Sequence, residues 1–111
     1  MQYLVLGYDG EDDGAKERRM KARPDHIAMG DKLLKSGNLW YGAAMTDDNG
    51  NMVGSIYMVD FPDRAALDNW LEEEPYMIGG VWVKTKIIKC NTRDPWQFNR
   101  PKEFFEERQN D

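Results

Sequence analysis

The chain has 111 residues, enough for one domain with a packed core and too few for an active site enclosed by many layers. Its formal net charge is −5, from 20 acidic against 15 basic residues, which repels phosphate backbones and leaves no basic stripe for nucleic acid. A single cysteine, Cys90, excludes an internal disulfide and a cysteine-rich metal cage, and no apolar run reaches bilayer length. Met1-Gln2-Tyr3-Leu4-Val5-Leu6 lacks the basic segment of a secretion signal, so the expected setting is cytoplasmic, with neither membrane nor nucleic acid as partner.

Residues 2–8 form a nearly continuous apolar stretch, the pattern of a strand covered on both faces. The acidic run Asp9-Gly10-Glu11-Asp12-Asp13-Gly14 breaks it. A short helical turn over residues 15–21 is followed by a main helix over residues 24–36, opened by Pro24, which suits a first turn, and ended by Gly37. On that helix His26 shares one stripe with Met29, Gly30 and Leu33, so it faces inward or along the rim. Gly30 weakens a helix, and close packing against the sheet is the compensation expected ahead of a ligand contact.

Residues 39–45 and 52–60 read as two strands joined by Thr46-Asp47-Asp48-Asn49-Gly50-Asn51, whose Asn-Gly step marks a hairpin. A second helix spans residues 63–73, with Asp63 at its start and Ala66, Leu67, Trp70 and Leu71 on one face, and Pro75 stops it. Gly79-Gly80 turns the chain into a last strand, residues 81–90, whose Lys84 and Lys86 suit an exposed edge.

The order βαββαβ predicts an α+β, ferredoxin-like domain: a four-stranded antiparallel sheet with both helices on one face and strands one and three at its centre. Tyr3-Leu4-Val5-Leu6 and Ile56-Tyr57-Met58-Val59 are apolar at successive positions, hence on both faces of the sheet. Helices cover one face only. The other is expected to meet the sheet of a second copy, giving a homodimeric α/β barrel. Residues 91–111, with Pro95, Trp96, Phe98, Pro101, Phe104 and Phe105 among charges, form an extension expected to dock on the body or on the partner subunit.

His26 is the only histidine, so proton transfer near neutral pH centres there or falls to carboxylates. Glu72-Glu73-Glu74 closes the second helix, where the macrodipole disfavours negative charge. Either these glutamates are exposed and tolerated, or Glu74 turns inward to pair with His26 and orient its imidazole. The second arrangement suits removal of a proton beside a carbonyl or double bond, followed by elimination or isomerisation. Asp9, Glu11 and Asp13 carry part of a calcium-loop spacing, but its twelfth position is Met20. Asp47 and Asp48 are explained by the turn, and Cys90 reads as a small buried hydrophobe. Trp40, Trp70 and Trp82 read as core or interface mass, and Ser55 as a hydroxyl available to a ligand.

Three segments together resemble the YCII-related family: Arg23-Pro24-Asp25-His26 at the first helix, Gly54-Ser55 entering the third strand, and Glu74-Pro75-Tyr76-Met77-Ile78-Gly79-Gly80-Val81. The likeness runs from Met1 to about Cys90 and implies a dimeric α/β barrel whose pocket holds a histidine and a carboxylate as an acid/base pair. Glu74 stands where the family usually has aspartate, one methylene shorter, and the Asn91 to Asp111 extension lies outside the likeness. The reading at this stage is a domain at residues 1–90 that binds a small organic molecule, with no cofactor and no metal. His26 and Glu74 are the expected catalytic pair, and Arg23, Ser55 and Tyr76 the expected substrate contacts, in a lyase or isomerase. The alternative is a noncatalytic binding or assembly module in which His26 is structural. A hydrogen-bonded pair opening onto a polar-lined cavity favours the first, and a solvent-directed Glu74 or a filled cavity the second.

Overall fold

A computed structural model describes residues 1–94 together with Lys102, Glu103 and Glu106. Its elements are β1 (Gln2–Asp9), α1 (Ala15–Ser36), β2 (Leu39–Thr46), β3 (Met52–Asp60), α2 (Arg64–Glu73), α3 (Pro75–Ile78) and β4 (Trp82–Cys90). The strands form one antiparallel sheet in the order β2-β3-β1-β4, which places β1 and β3 centrally and leaves β4 at an edge. Alternation along the two central strands sends Tyr3, Val5, Tyr57 and Val59 to one face, where they pack with Leu67, Trp70 and Leu71 of α2 and Tyr76 of α3. Ala22, Met29 and Leu33 bring α1 onto the same layer. The fold is therefore the ferredoxin-like one, with its helices on one face.

The opposite face is turned away from α1, α2 and α3. Leu4 pairs with Met58 and Ile88, Leu6 with Ile56, Ala43 with Ile56 and Tyr41 with Met58, so an apolar layer crosses all four strands. Tyr41 and Ile88 on it are exposed. Cys90 also lies at this end, half-buried rather than fully enclosed, because β4 is an edge strand; its Sγ is 3.8 Å from Met58 Sδ. Thr92 starts the C-terminal extension beside this face, donating from its backbone to Gln2 Oε1 at 2.6 Å. The rest of the docking expected of residues 91–111 falls mostly outside the described residues. Among the described residues no helix is long and apolar enough to cross a membrane.

Three local expectations need correction. First, α1 is one helix of 22 residues with Pro24 inside it, not a short turn followed by a helix that begins there. The ring removes one N–H from the ladder, and anchors on both sides outweigh that loss: Arg19 is buried before it and His26 after it. His26 thus sits mid-helix. Second, Gly30 is not packed against the sheet; nothing lies within 4 Å of where its Cβ would be. Third, Pro75 ends α2 only to start α3, a four-residue helix. Glu74 caps both, closing α2 with its backbone and accepting from Tyr76 N through its side chain. At this junction a carboxylate faces orphan N–H groups, so the charge that the macrodipole of α2 disfavours is favoured by α3.

Candidate active site

The C-terminal ends of α2 and β1, the middle of α1 and the start of β4 converge on His26. Its Nδ1 contacts Glu74 Oε1, which also accepts the Tyr76 backbone N–H at 3.1 Å. Glu74 is 1% exposed and His26 9%. A carboxylate can only accept, so Nδ1 carries the proton in this contact. The Tyr57 hydroxyl lies 2.6 Å from Nε2 and 3.3 Å from Nδ1, over the face of the imidazole, with the two rings 7° from parallel. The Tyr76 ring stacks on the imidazole, centroids 3.6 Å apart and planes 7° apart, so one face of the histidine is covered as well. Trp82 closes the edge at 6.1 Å.

Below the ring lies a second polar group. Arg19 Nη1 donates to both oxygens of Asp9, at 3.0 and 2.9 Å, in an ion pair almost wholly removed from solvent. Its Nη2 lies 3.4 Å from Ser55 Oγ, and its guanidinium carbon 4.8 Å from the Tyr76 ring centre. Ser55 Oγ also accepts from Trp82 Nε1 at 3.2 Å, which leaves the serine its own hydrogen to donate. Buried Arg19 Nε has no partner among the described residues. A register shift between Tyr8 and Asp9 on β1 helps to aim this corner: a bulge there pairs Asp9 with Trp82.

These groups border a cavity of about 320 Å³. Its polar wall includes Arg19, Arg23, His26, Asp31, Ser55, Tyr57 and Tyr76; α1 and the β2–β3 hairpin supply Ile27, Leu34, Leu39 and Met52. Gly30 borders it too, which explains why no neighbour approaches that residue. Arg23 is exposed at the rim. Burial first, and then the Glu74 carboxylate, pushes the Tyr57 phenol far above the ordinary tyrosine range, so it stays protonated. Burial likewise raises the Tyr76 phenol. Among the described residues no three His, Cys, Asp or Glu side chains cluster as metal ligands would.

The five residues singled out from the sequence therefore border one site, directly or through a neighbour: His26, Ser55, Tyr76 and Arg23 line the cavity, and Glu74 stands behind His26. Sequence reasoning missed Arg19, Tyr57 and Trp82. Arg19 was legible in principle, because residues 19, 23, 26, 30 and 33 follow a single helical stripe once α1 is read through Pro24. Tyr57 is two residues from Ser55 on β3 and so shares its face. Nothing in the sequence points Trp82 at Ser55 rather than at the core.

A ferredoxin-like sheet with a histidine–carboxylate pair buried at the wall of a small, part-polar cavity defines a class of compact ligand-site domain. The description of the YCII-related domain matches residues 1–91, and the chain belongs to that family. It is 26% identical over 93 residues to Protein YciI of Escherichia coli O6:H1 and to Protein YciI of Shigella flexneri, covering 78% of this chain and 93% of each relative. Its fold is similar to that of 5-chloro-2-hydroxyhydroquinone dehydrochlorinase (TftG) from Burkholderia phenoliruptrix AC1100, solved in complex with 2,5-dihydroxybenzoquinone. The TM-score is 0.71 at 18% identity, over 82% of this chain and 94% of that one. A dimeric ferredoxin-like protein of unknown function from Jannaschia sp. CCS1 gives a TM-score of 0.51 at 15% identity, over 82% and 98%. At these identities the structural likeness concerns the fold.

Proposed function

We propose that this YCII-related protein binds a small organic molecule beside His26 and moves a proton on it without a cofactor, as a lyase or isomerase does. The observation that carries this reading is the buried His26–Glu74 pair at the wall of a cavity of about 320 Å³, within the size range of small-ligand sites. His26 is the acid/base and Glu74 orients it and balances its charge when protonated. Arg23 at the rim serves an anionic or enolate oxygen, while Ser55 and Tyr76 line the pocket as hydroxyl donors. An inward-facing Glu74 and an open cavity support this reading over a noncatalytic module.

A test follows from the ligand of the dehydrochlorinase. The ring C–H groups of 2,5-dihydroxybenzoquinone lie between carbonyl and enol carbons, so their replacement by deuterium in D₂O, read by NMR, reports proton transfer of the proposed kind. The protein should accelerate this exchange, and His26→Gln should remove about 10²- to 10⁴-fold of the acceleration while leaving the circular dichroism unchanged. Exchange that is not accelerated, or is equally fast with His26→Gln, would rule out His26 as the proton carrier.

The same proposal takes residues 1–90 as the domain and 91–111 as an extension docking on the body or partner, in a cytoplasmic homodimer. Support for the dimer is the apolar layer of Leu4, Leu6, Ile56 and Ile88 on the face turned away from α1, α2 and α3. Sedimentation equilibrium should return twice the 12.9 kDa chain mass. A species of single-chain mass at micromolar concentration would overturn it.

A further inference from the structure

The cavity beside His26 changes character along its length. On β2, Ala44 pairs with Ser55, Gly42 with Tyr57 and Leu39 with Val59, so the path from Ala44 to Leu39 leads from the corner of Arg19 and Ser55, past Tyr57, to an apolar end. The first end is built for polar groups: Arg19 is 4% exposed and Ser55 3%, and Arg19 Nε has no partner among the described residues. Along α1 the same path runs from Arg19 past His26 to Ile27, Gly30 and Leu34, which recur at three- and four-residue spacing and share one face. Leu34 stands about two helical turns beyond His26. At about 320 Å³ the cavity is roughly twice what a benzene-sized ring fills.

Gly30 is the residue that leaves the apolar end open. Among the described residues nothing lies within 4 Å of where its Cβ would be, and its backbone is not left-handed. Neither a close approach nor a turn therefore calls for glycine, which weakens a helix interior relative to alanine. What a side chain here would take up is cavity space. On either side of the gap Ile27 is 43% and Leu34 50% exposed, two apolar side chains left uncovered where the cavity widens.

We propose, resting on the function above, that this end is a second subsite for an uncharged apolar substituent of the ligand, an alkyl or aryl group, with Gly30 as its specificity-determining residue. The unsaturated, oxygen-bearing head lies at His26, and the substituent passes over Gly30 between Ile27 and Leu34 toward Leu39. Its burial, together with that of the side chains it covers, supplies the binding energy. Asp31, exposed beside Gly30, disfavours an anionic group here, which sets an alkyl or aryl tail apart from one that carries a carboxylate.

The probes are 2,5-dihydroxybenzoquinone and its 3-hexyl derivative, which keeps one exchangeable ring C–H. Titration calorimetry gives their affinities, and deuterium exchange at the ring reports the chemistry. The wild type should bind the hexyl compound about 10-fold or more tightly than the parent, since burial of two methylene groups suffices for that. Gly30→Leu fills the gap from the helix side and should return the ratio of the two affinities to about 1. Leu34→Ala removes a wall at a half-exposed position and should lower the ratio about threefold or more, which keeps the test decisive if leucine at position 30 disturbs α1. Exchange into the parent compound with no preference for the hexyl compound overturns the subsite and leaves the function standing; that is also the result if the chain's own residues fill this end. A preference that persists unchanged in both variants overturns it too, because the tail then lies elsewhere, as on the apolar sheet face. Preference without exchange supports the subsite while the proton transfer fails. If neither compound binds or exchanges, the function falls and the subsite with it.

Discussion

Glu74→Ala is expected to lower the stability of the fold by about 3–5 kcal/mol, the cost of breaking a buried charge-bearing pair by deleting one partner. The position is 1% exposed, and truncation strands two donors at once, His26 Nδ1–H and the Tyr76 backbone N–H. It also removes the cap from α3. Against a total stability of about 5–15 kcal/mol for domains of this kind, that is a large fraction. Glu74→Gln separates structure from chemistry. Its carbonyl oxygen can still accept from both donors, so the loss should be smaller, about 1–3 kcal/mol for a buried amide NH₂ left with no acceptor. A neutral amide does not balance an imidazolium, however, so deuterium exchange into the dihydroxyquinone should drop even where the variant is fully folded. Urea unfolding of the three proteins checks the order; equal stability of Glu74→Ala and wild type would contradict the assigned role.

Gly7→Ala is the second substitution expected to have a large effect, at a position with no chemistry of its own. The Trp82 indole lies so close over Gly7 that a Cβ would collide with three of its ring atoms, and these are the body of a rigid ring rather than the end of a flexible chain. Trp82 must shift. Its shift breaks the bond from Nε1 to Ser55 and opens the edge of the cavity beside His26. Overpacking of this kind costs about 1–3 kcal/mol. Gly30→Ala is the matched control: nothing lies within 4 Å of its Cβ position, and alanine is favoured over glycine in a helix by about 1 kcal/mol. Unfolding midpoints should therefore move in opposite directions, down for Gly7→Ala and up for Gly30→Ala.

Most of the fold was legible because its signals are local. The Asn49-Gly50 turn, the Asp63 cap of α2 and the Gly37 stop of α1 each depend on a few neighbouring residues, and each is where the sequence places it. The misreadings occur where tertiary contacts override a local rule. Pro24 looks like a helix start, yet the buried pairing of Arg19 with Asp9 anchors the helical residues before it, so the helix runs from Ala15 through Pro24 to Ser36; no short-range signal contains that ion pair. The contact of Glu74 with His26 joins residues 48 apart. Its sequence clue was a charge at the wrong end of a helix, which local physics permitted to be either exposed or inward. Tyr57 was hidden differently. An aromatic residue in an apolar central strand is indistinguishable from core until its hydroxyl has an address.

The cavity has one wall that can change and one that cannot readily do so. Arg19, Arg23, His26 and Gly30 all ride α1, so their separations along the axis are set by the helical rise of about 1.5 Å per residue. A ligand is in effect measured against a ruler graduated in backbone units. Divergence toward other molecules must then be written mainly on the opposing hairpin, at Ala43, Ala44 and Met52, where side chains can be exchanged without altering the scale.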